Sequence, residues 1–126
     1  MSPAEPQHWT QVPHAPTPGT PVCALAALPD GAATMQTLGG AATPFQLLLL
    51  RSGEAVYGYV NRCAHFGVPL AKQQEQLIFK PHESVSCNVH YARYRWQDGV
   101  CVAGECEGAA LLAVPLYVQA GVVLVG

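Results

Sequence analysis

The sequence predicts an all-β fold, and three observations carry that expectation. Turn signals recur roughly every eight to twelve residues beyond the first twenty, the spacing of short strands joined by tight connections. The runs between them are rich in Val, Leu, Tyr and Thr, and no long stretch repeats its apolar residues with a helical period. The 126 residues also include 11 prolines and 12 glycines, both of which break helices.

Residues 1–19 contain Pro3, Pro6, Pro13, Pro16 and Pro18 and carry neither period, so they read as a proline-rich N-terminal arm, packed on the domain or mobile, ahead of one domain at 20–126. Pro21 to Ala26 is expected as the first strand, stopped by Pro29-Asp30-Gly31, and Thr34 to Leu38 as the second, ended by Gly39-Gly40. Gln46 to Arg51 and Ala55 to Val60 flank Ser52-Gly53 and predict a hairpin. Pro69 to Gln76 has room for one helical turn. Gln76 to Lys80 and Ser84 to Ser86 then flank Pro81-His82, and Arg93 to Gln97 and Val100 to Ala103 flank the strong turn signal Asp98-Gly99. Ala113 to Gln119 and Val122 to Val125, around Ala120-Gly121, close the chain.

The length suits one domain able to bury a sizeable core without disulfide staples. A net charge of −2 with only 11% charged residues argues against a nucleic-acid binder, which needs a basic patch. No apolar run approaches the ~20 residues that span a bilayer, so no membrane partner is expected. The first residues show no basic and apolar succession of a secretory signal. Five cysteines, an odd number, then point to reduced thiols or metal ligands and to the cytoplasm.

The chemistry lies in Cys63-Ala64-His65 and Cys87-Asn88-Val89-His90, two pairs in loops with 21 residues between His65 and Cys87. Each loop offers one thiolate and one imidazole. A mononuclear zinc ion accepts such donors, although zinc motifs usually space their ligands by two to five residues. A [2Fe-2S] cluster divides each pair instead, Cys to one iron and His to the other.

Asn61-Arg62-Cys63-Ala64-His65-Phe66-Gly67 together with Cys87-Asn88-Val89-His90 resembles the two cluster-binding loops of the Rieske iron-sulfur family. Tyr94-Arg95-Trp96-Gln97-Asp98-Gly99, Gly104 and Pro115-Leu116-Tyr117-Val118 resemble the hairpin and final strands that follow the second loop, so the similarity covers residues 20–126. The family's second loop usually reads Cys-Pro-x-His-Gly, whereas Asn88 and Tyr91 stand here. Val68 and Val89 stand where respiratory members carry disulfide cysteines, which implies the soluble ferredoxin-like class. The resemblance implies a fold of small stacked antiparallel sheets with two cluster-binding loops, and a [2Fe-2S] cluster held by Cys63, His65, Cys87 and His90. It also implies that Tyr94 occupies the place of a Tyr whose hydroxyl bonds a ligand thiolate in respiratory members, with Ala92 in place of their Ser.

Two thiolates and two neutral imidazoles bring an oxidised cluster to zero charge, and this raises the potential to between about −150 and +300 mV. One-electron carriage is the implied function, by a ferredoxin that takes electrons from a flavin reductase and passes them to an oxygenase. The alternative is a non-catalytic accessory or redox-sensing module on a partner enzyme. A small subunit of a nitrite-reductase type fits less well, because such subunits often lose the ligands. A complete oxygenase would need a further iron site beyond this length. No residue of the chain is expected to be catalytic. Cys23, Cys101 and Cys106 read as core residues or a thiol near a turn. His8, His14 and His82 read as solvated, and Arg62, Arg93 and Arg95 as solvated strand charges.

Overall fold

The computed structural model describes residues 8–12, 14–39, 42, 44–62, 70–87, 92–104 and 109–126. Among the described residues, eleven strands form three antiparallel sheets. The middle sheet runs β2 (Ala33–Leu38), β3 (Phe45–Ser52), β4 (Ala55–Val60) and β9 (Ala113–Val114). On one side lies the sheet β1 (Pro21–Ala24), β11 (Val122–Val125) and β10 (Leu116–Gln119). On the other lies β5 (Ile78–Lys80), β6 (Ser84–Ser86), β7 (Arg93–Arg95) and β8 (Cys101–Ala103).

The apolar run in β3 explains the layering. Leu47, Leu48, Leu49 and Leu50 are all fully buried, because successive side chains of a strand point to opposite faces and here both faces are covered. Leu48 and Leu50 join Val85, Tyr94, Trp96 and Cys101 in one core, whereas Leu47 and Leu49 join Val22, Val123 and Val125 in the other. Burying each leucine contributes about 1.5–3 kcal/mol. Trp9, on a short 3-10 turn at Trp9–Gln11, is buried in the second core.

Several expected strands change their bounds. The first ends at Ala24 and gives way to a 3-10 turn at Leu25–Ala27. Ala113 to Gln119 is two strands in two sheets: Pro115 lacks the N–H a continuous ladder requires, and the chain crosses there from the middle sheet to the outer one. Arg93 to Gln97 shortens to end at Arg95, whose guanidinium grips Asp98 through two bonds of 2.6 and 3.1 Å. That guanidinium holds the Asp98 carboxyl below its usual range, and Asp98 also accepts the Val100 N–H. The hairpin β5–β6 turns through three residues, since Lys80 pairs with Ser84, and His82 takes the left-handed conformation there (φ 63°). In the β3–β4 hairpin Ser52 pairs with Ala55, so the turn residues are Gly53-Glu54. The helical turn after Pro69 is a 3-10 turn at Gln74–Gln76.

The middle sheet is tied to the β5–β8 sheet through polar contacts as well as the core. The buried Tyr59 hydroxyl donates to the Trp96 carbonyl at 2.5 Å. His82 Nδ1 lies 2.8 Å from Ser52 Oγ, and the His82 ring packs on Trp96 at 5.8 Å. Burial raises the Tyr59 pKa well above its usual value. A raised folded-state pKa means this stability is present below about pH 10 and is lost as the unfolded chain ionises above it. Tyr59→Phe is expected to cost about 1–3 kcal/mol by leaving the Trp96 carbonyl unpaired. Equilibrium denaturation in urea at pH 7 measures this, and an unchanged midpoint would contradict the role given to the hydroxyl.

Candidate metal centre

The first candidate loop leaves the end of β4. Asn61 N–H donates back to the Gln46 carbonyl at 3.0 Å, which holds the start of the loop against β3. The Asn61 side chain is buried, and both of its polar atoms reach across to the far end of the loop. Oδ1 accepts the Leu70 N–H at 2.8 Å, and Nδ2 donates to the Ala71 carbonyl at 3.0 Å. Beyond Ala71 the chain is fixed again. Gln74 Oε1 accepts the Met35 N–H at 2.8 Å, and its Nε2 donates to the Ala33 carbonyl at 2.9 Å. This side-chain amide pairs with the outer edge of β2 much as another strand would.

The second loop lies within the β5–β8 sheet, between β6 and β7. Cys87 N–H donates to the Ala92 carbonyl at 2.8 Å, so the backbone itself closes the loop 88–91. Gly104 packs directly on this closure: a Cβ there would lie 2.9 Å from Ala92 Cα, and its φ of +105° suits glycine alone.

The two closures share one core. Leu70 and Ala71 at the end of the first loop, and Cys87, Ala92 and Tyr94 around the second, are buried in the same cluster. Of the four candidate ligands, Cys87 is fully buried at the base of its loop. Cys63, His65 and His90 lie outside the described residues, as do Gly67, Val68, Asn88, Val89, Tyr91 and Cys106. Among the described residues no three His, Cys, Asp or Glu side chains form a metal-binding group. What the structure brings together is the two loop bases, one from the middle sheet and one from the β5–β8 sheet. A donor set of two thiols and two imidazoles carried on such paired loops fits a [2Fe-2S] cluster.

The comparisons with known proteins decide the family. The family model of the Rieske [2Fe-2S] domain matches residues 19–118. The chain belongs to the Rieske [2Fe-2S] domain family. Its cofactor is accordingly a [2Fe-2S] cluster. No curated protein matches the chain. Among solved structures, the ferredoxin of carbazole 1,9a-dioxygenase from Nocardioides aromaticivorans IC177 superposes with a TM-score of 0.63 at 22% identity, over 87% of this chain and 98% of that one. The terminal oxygenase of the same system and organism gives 0.65 at 27% identity, over 84% of this chain and 29% of that one. An oxygenase and ferredoxin complex of carbazole 1,9a-dioxygenase gives 0.70 at 26% identity, over 84% and 27%. The Rieske chain described here thus spans nearly the whole ferredoxin but under a third of the oxygenase chains it matches.

The remaining residues singled out from the sequence divide. Cys101 is buried with its thiol 3.2 Å from the Ala103 carbonyl, consistent with a core residue of the Rieske fold. Cys23 is half-buried, and burial pushes its thiol pKa up, away from reactivity. His82 is exposed, yet it is held by Ser52 and Trp96 rather than merely solvated. Arg95 is likewise paired, with Asp98. Sequence reasoning missed Asn61 as a loop closure, Gln74 as an edge clasp and Gly104 as the support of the second loop. Only Asn61 and Gly104 left a trace, as members of the motifs quoted above.

Proposed function

We propose that this chain is a small Rieske ferredoxin whose cluster is held by Cys63, His65, Cys87 and His90, and that it carries electrons one at a time to an oxygenase. The observation that carries the reading is the pairing of a Cys-x-His loop and a Cys-x-x-His loop with a Rieske domain match over residues 19–118. When bound, the cluster takes up and gives back one electron between two oxidation states. The chain's own residues hold the donors in place. Asn61 closes one loop, the Cys87–Ala92 backbone bond closes the other, and the shared core keeps the two bases adjacent. The likeness to a ferredoxin over 98% of its length supports a carrier, and the solved complex of an oxygenase with its ferredoxin supports an oxygenase as acceptor. A flavin reductase is the donor in this reading. Thiolate ligands and an odd number of cysteines favour the cytoplasm. Among the described residues no helix is long and apolar enough to cross a membrane.

The test is electron transfer with purified components. The iron-loaded protein, reduced by a flavin reductase, is mixed with the oxidised oxygenase of a Rieske system, and the cluster spectrum is followed. Reoxidation within the turnover time of the oxygenase supports the reading. A cluster that stays reduced in the presence of every acceptor tried, while binding a partner enzyme tightly, favours an accessory or sensing module.

Tyr94 tunes the site in this reading. It is fully buried in the core that holds Cys87, and its resemblance to the respiratory Tyr implies a hydroxyl donor toward a ligand thiolate. Such a donor stabilises the reduced cluster more than the oxidised one, because the added charge spreads onto the sulfur. A difference of ~1 kcal/mol corresponds to about 40 mV for one electron. Tyr94→Phe is therefore expected to lower the midpoint potential by tens of millivolts without loss of iron. Protein-film voltammetry of the folded variant measures it, and an unchanged midpoint would make Tyr94 a packing residue only.

A further inference from the structure

The two loops are closed by different means. Across the second, among the described residues, the backbone bond from the Cys87 N–H to the Ala92 carbonyl makes the closure. Across the first, the hydrogen bonds found between residue 61 and residues 70–71 both come from the side chain of Asn61. That side chain is 5% exposed, so water does not compete for either bond. Its amide presents one acceptor and one donor in a fixed plane, and the loop's far end presents one N–H and one carbonyl to match. A hydrophobic residue of the same size would fill the space and leave both backbone groups unpaired in the core. An acid would accept from Leu70 but turn a second acceptor toward the Ala71 carbonyl.

We propose that Asn61 is the positioning residue of the first cluster loop, its buried amide fixing the span 63–69 from both ends and so setting how Cys63 and His65 meet the cluster. This rests on the ligand assignment given above, and Asn61 acts through those ligands rather than on the cluster. The anchor is stiff at each end. Asn61 is held to β3 through Gln46, and the segment beyond Ala71 is held to β2 through Gln74.

The experiment compares the holoprotein with Asn61→Leu, Asn61→Asp and Leu49→Ala. Leu49 is buried in the other core, apart from Leu70, Ala71, Cys87 and Ala92, so Leu49→Ala is a destabilising control on the far side of the middle sheet. Iron release to excess chelator is followed at a temperature where circular dichroism shows every protein folded, and the paramagnetic signal of the reduced cluster is recorded. Both Asn61 variants are expected to release iron about tenfold faster than the unsubstituted protein or more, with displaced g values. Leu49→Ala is expected to keep the original release rate and g values despite a lower Tm. Asn61 variants that match Leu49→Ala in both readouts would overturn the proposal. A third measurement needs no variant: the Leu70 amide of the holoprotein should resist hydrogen exchange, and exchange at the rate of an exposed loop amide would also overturn it. Failure of the ligand assignment looks different. An unsubstituted chain that takes up no cluster, or a His65→Ala chain that keeps it, removes that assignment, and the proposal with it, whatever the Asn61 variants do.

Discussion

Replacing His65 or His90 by alanine is expected to give a folded chain without a cluster. Each imidazole supplies one of the two nitrogen ligands of the same iron in this account, and the loss of either leaves that iron with an open position. Loss of a partner that merely orients a ligand already costs about 10–100-fold in metal affinity, so loss of the ligand itself should cost more. The fold should persist because the two cores are built from strand residues, with Leu47 to Leu50 buried between the layers. Iron and sulfide per chain should fall nearly to zero in either variant, with a β-sheet dichroism spectrum retained. Cys23→Ser and Cys106→Ser serve as controls and should keep a full cluster. A His90→Ala protein with normal iron content would refute the assignment of that ligand.

The second large effect is expected at Gly104. Its φ of +105° lies in a region that L side chains rarely adopt, and an added Cβ would sit 2.9 Å from Ala92 Cα. The conformational strain alone costs about 1–3 kcal/mol. The contact is with backbone, and Ala92 cannot retreat without pulling on its bond to Cys87. Overpacking of this kind adds about 1–3 kcal/mol. Gly104→Ala should therefore destabilise the protein by roughly 3 kcal/mol or more, a large share of the 5–15 kcal/mol that holds a typical domain. Gly121→Ala isolates the first contribution, since Gly121 has a φ of +77° and an added Cβ there would meet nothing within 4 Å. Urea denaturation of both variants is the measurement. If Gly104→Ala costs no more than Gly121→Ala, the close packing of residue 104 on the second loop does not matter.

Much of this architecture was legible in the sequence because the signals were local. The runs flanking Ser52-Gly53, Asp98-Gly99 and Ala120-Gly121 announced hairpins, and each pair is antiparallel. The paired Cys and His spacing alone left zinc open, and it was the resemblance of the two loops to the Rieske family that pointed to a [2Fe-2S] cluster, the cofactor the family match supports. What stayed hidden depends on partners far along the chain. Gln74 pairs with Ala33 and Met35, about forty residues earlier, and nothing in its neighbours marks it as an edge clasp. Asn61 bonds residues nine and ten positions later, across the span that carries two candidate ligands. Pro115 reads locally as an interruption, but that the chain changes sheets there follows from pairing with β4 on one side and β11 on the other.

The most direct test of the account is the metal content of the purified protein together with its paramagnetic spectrum after reduction. A Rieske [2Fe-2S] chain predicts about two irons and two acid-labile sulfides per chain, and a rhombic signal on reduction whose average g lies below the free-electron value. A colourless protein with one zinc per chain and no such signal would contradict it.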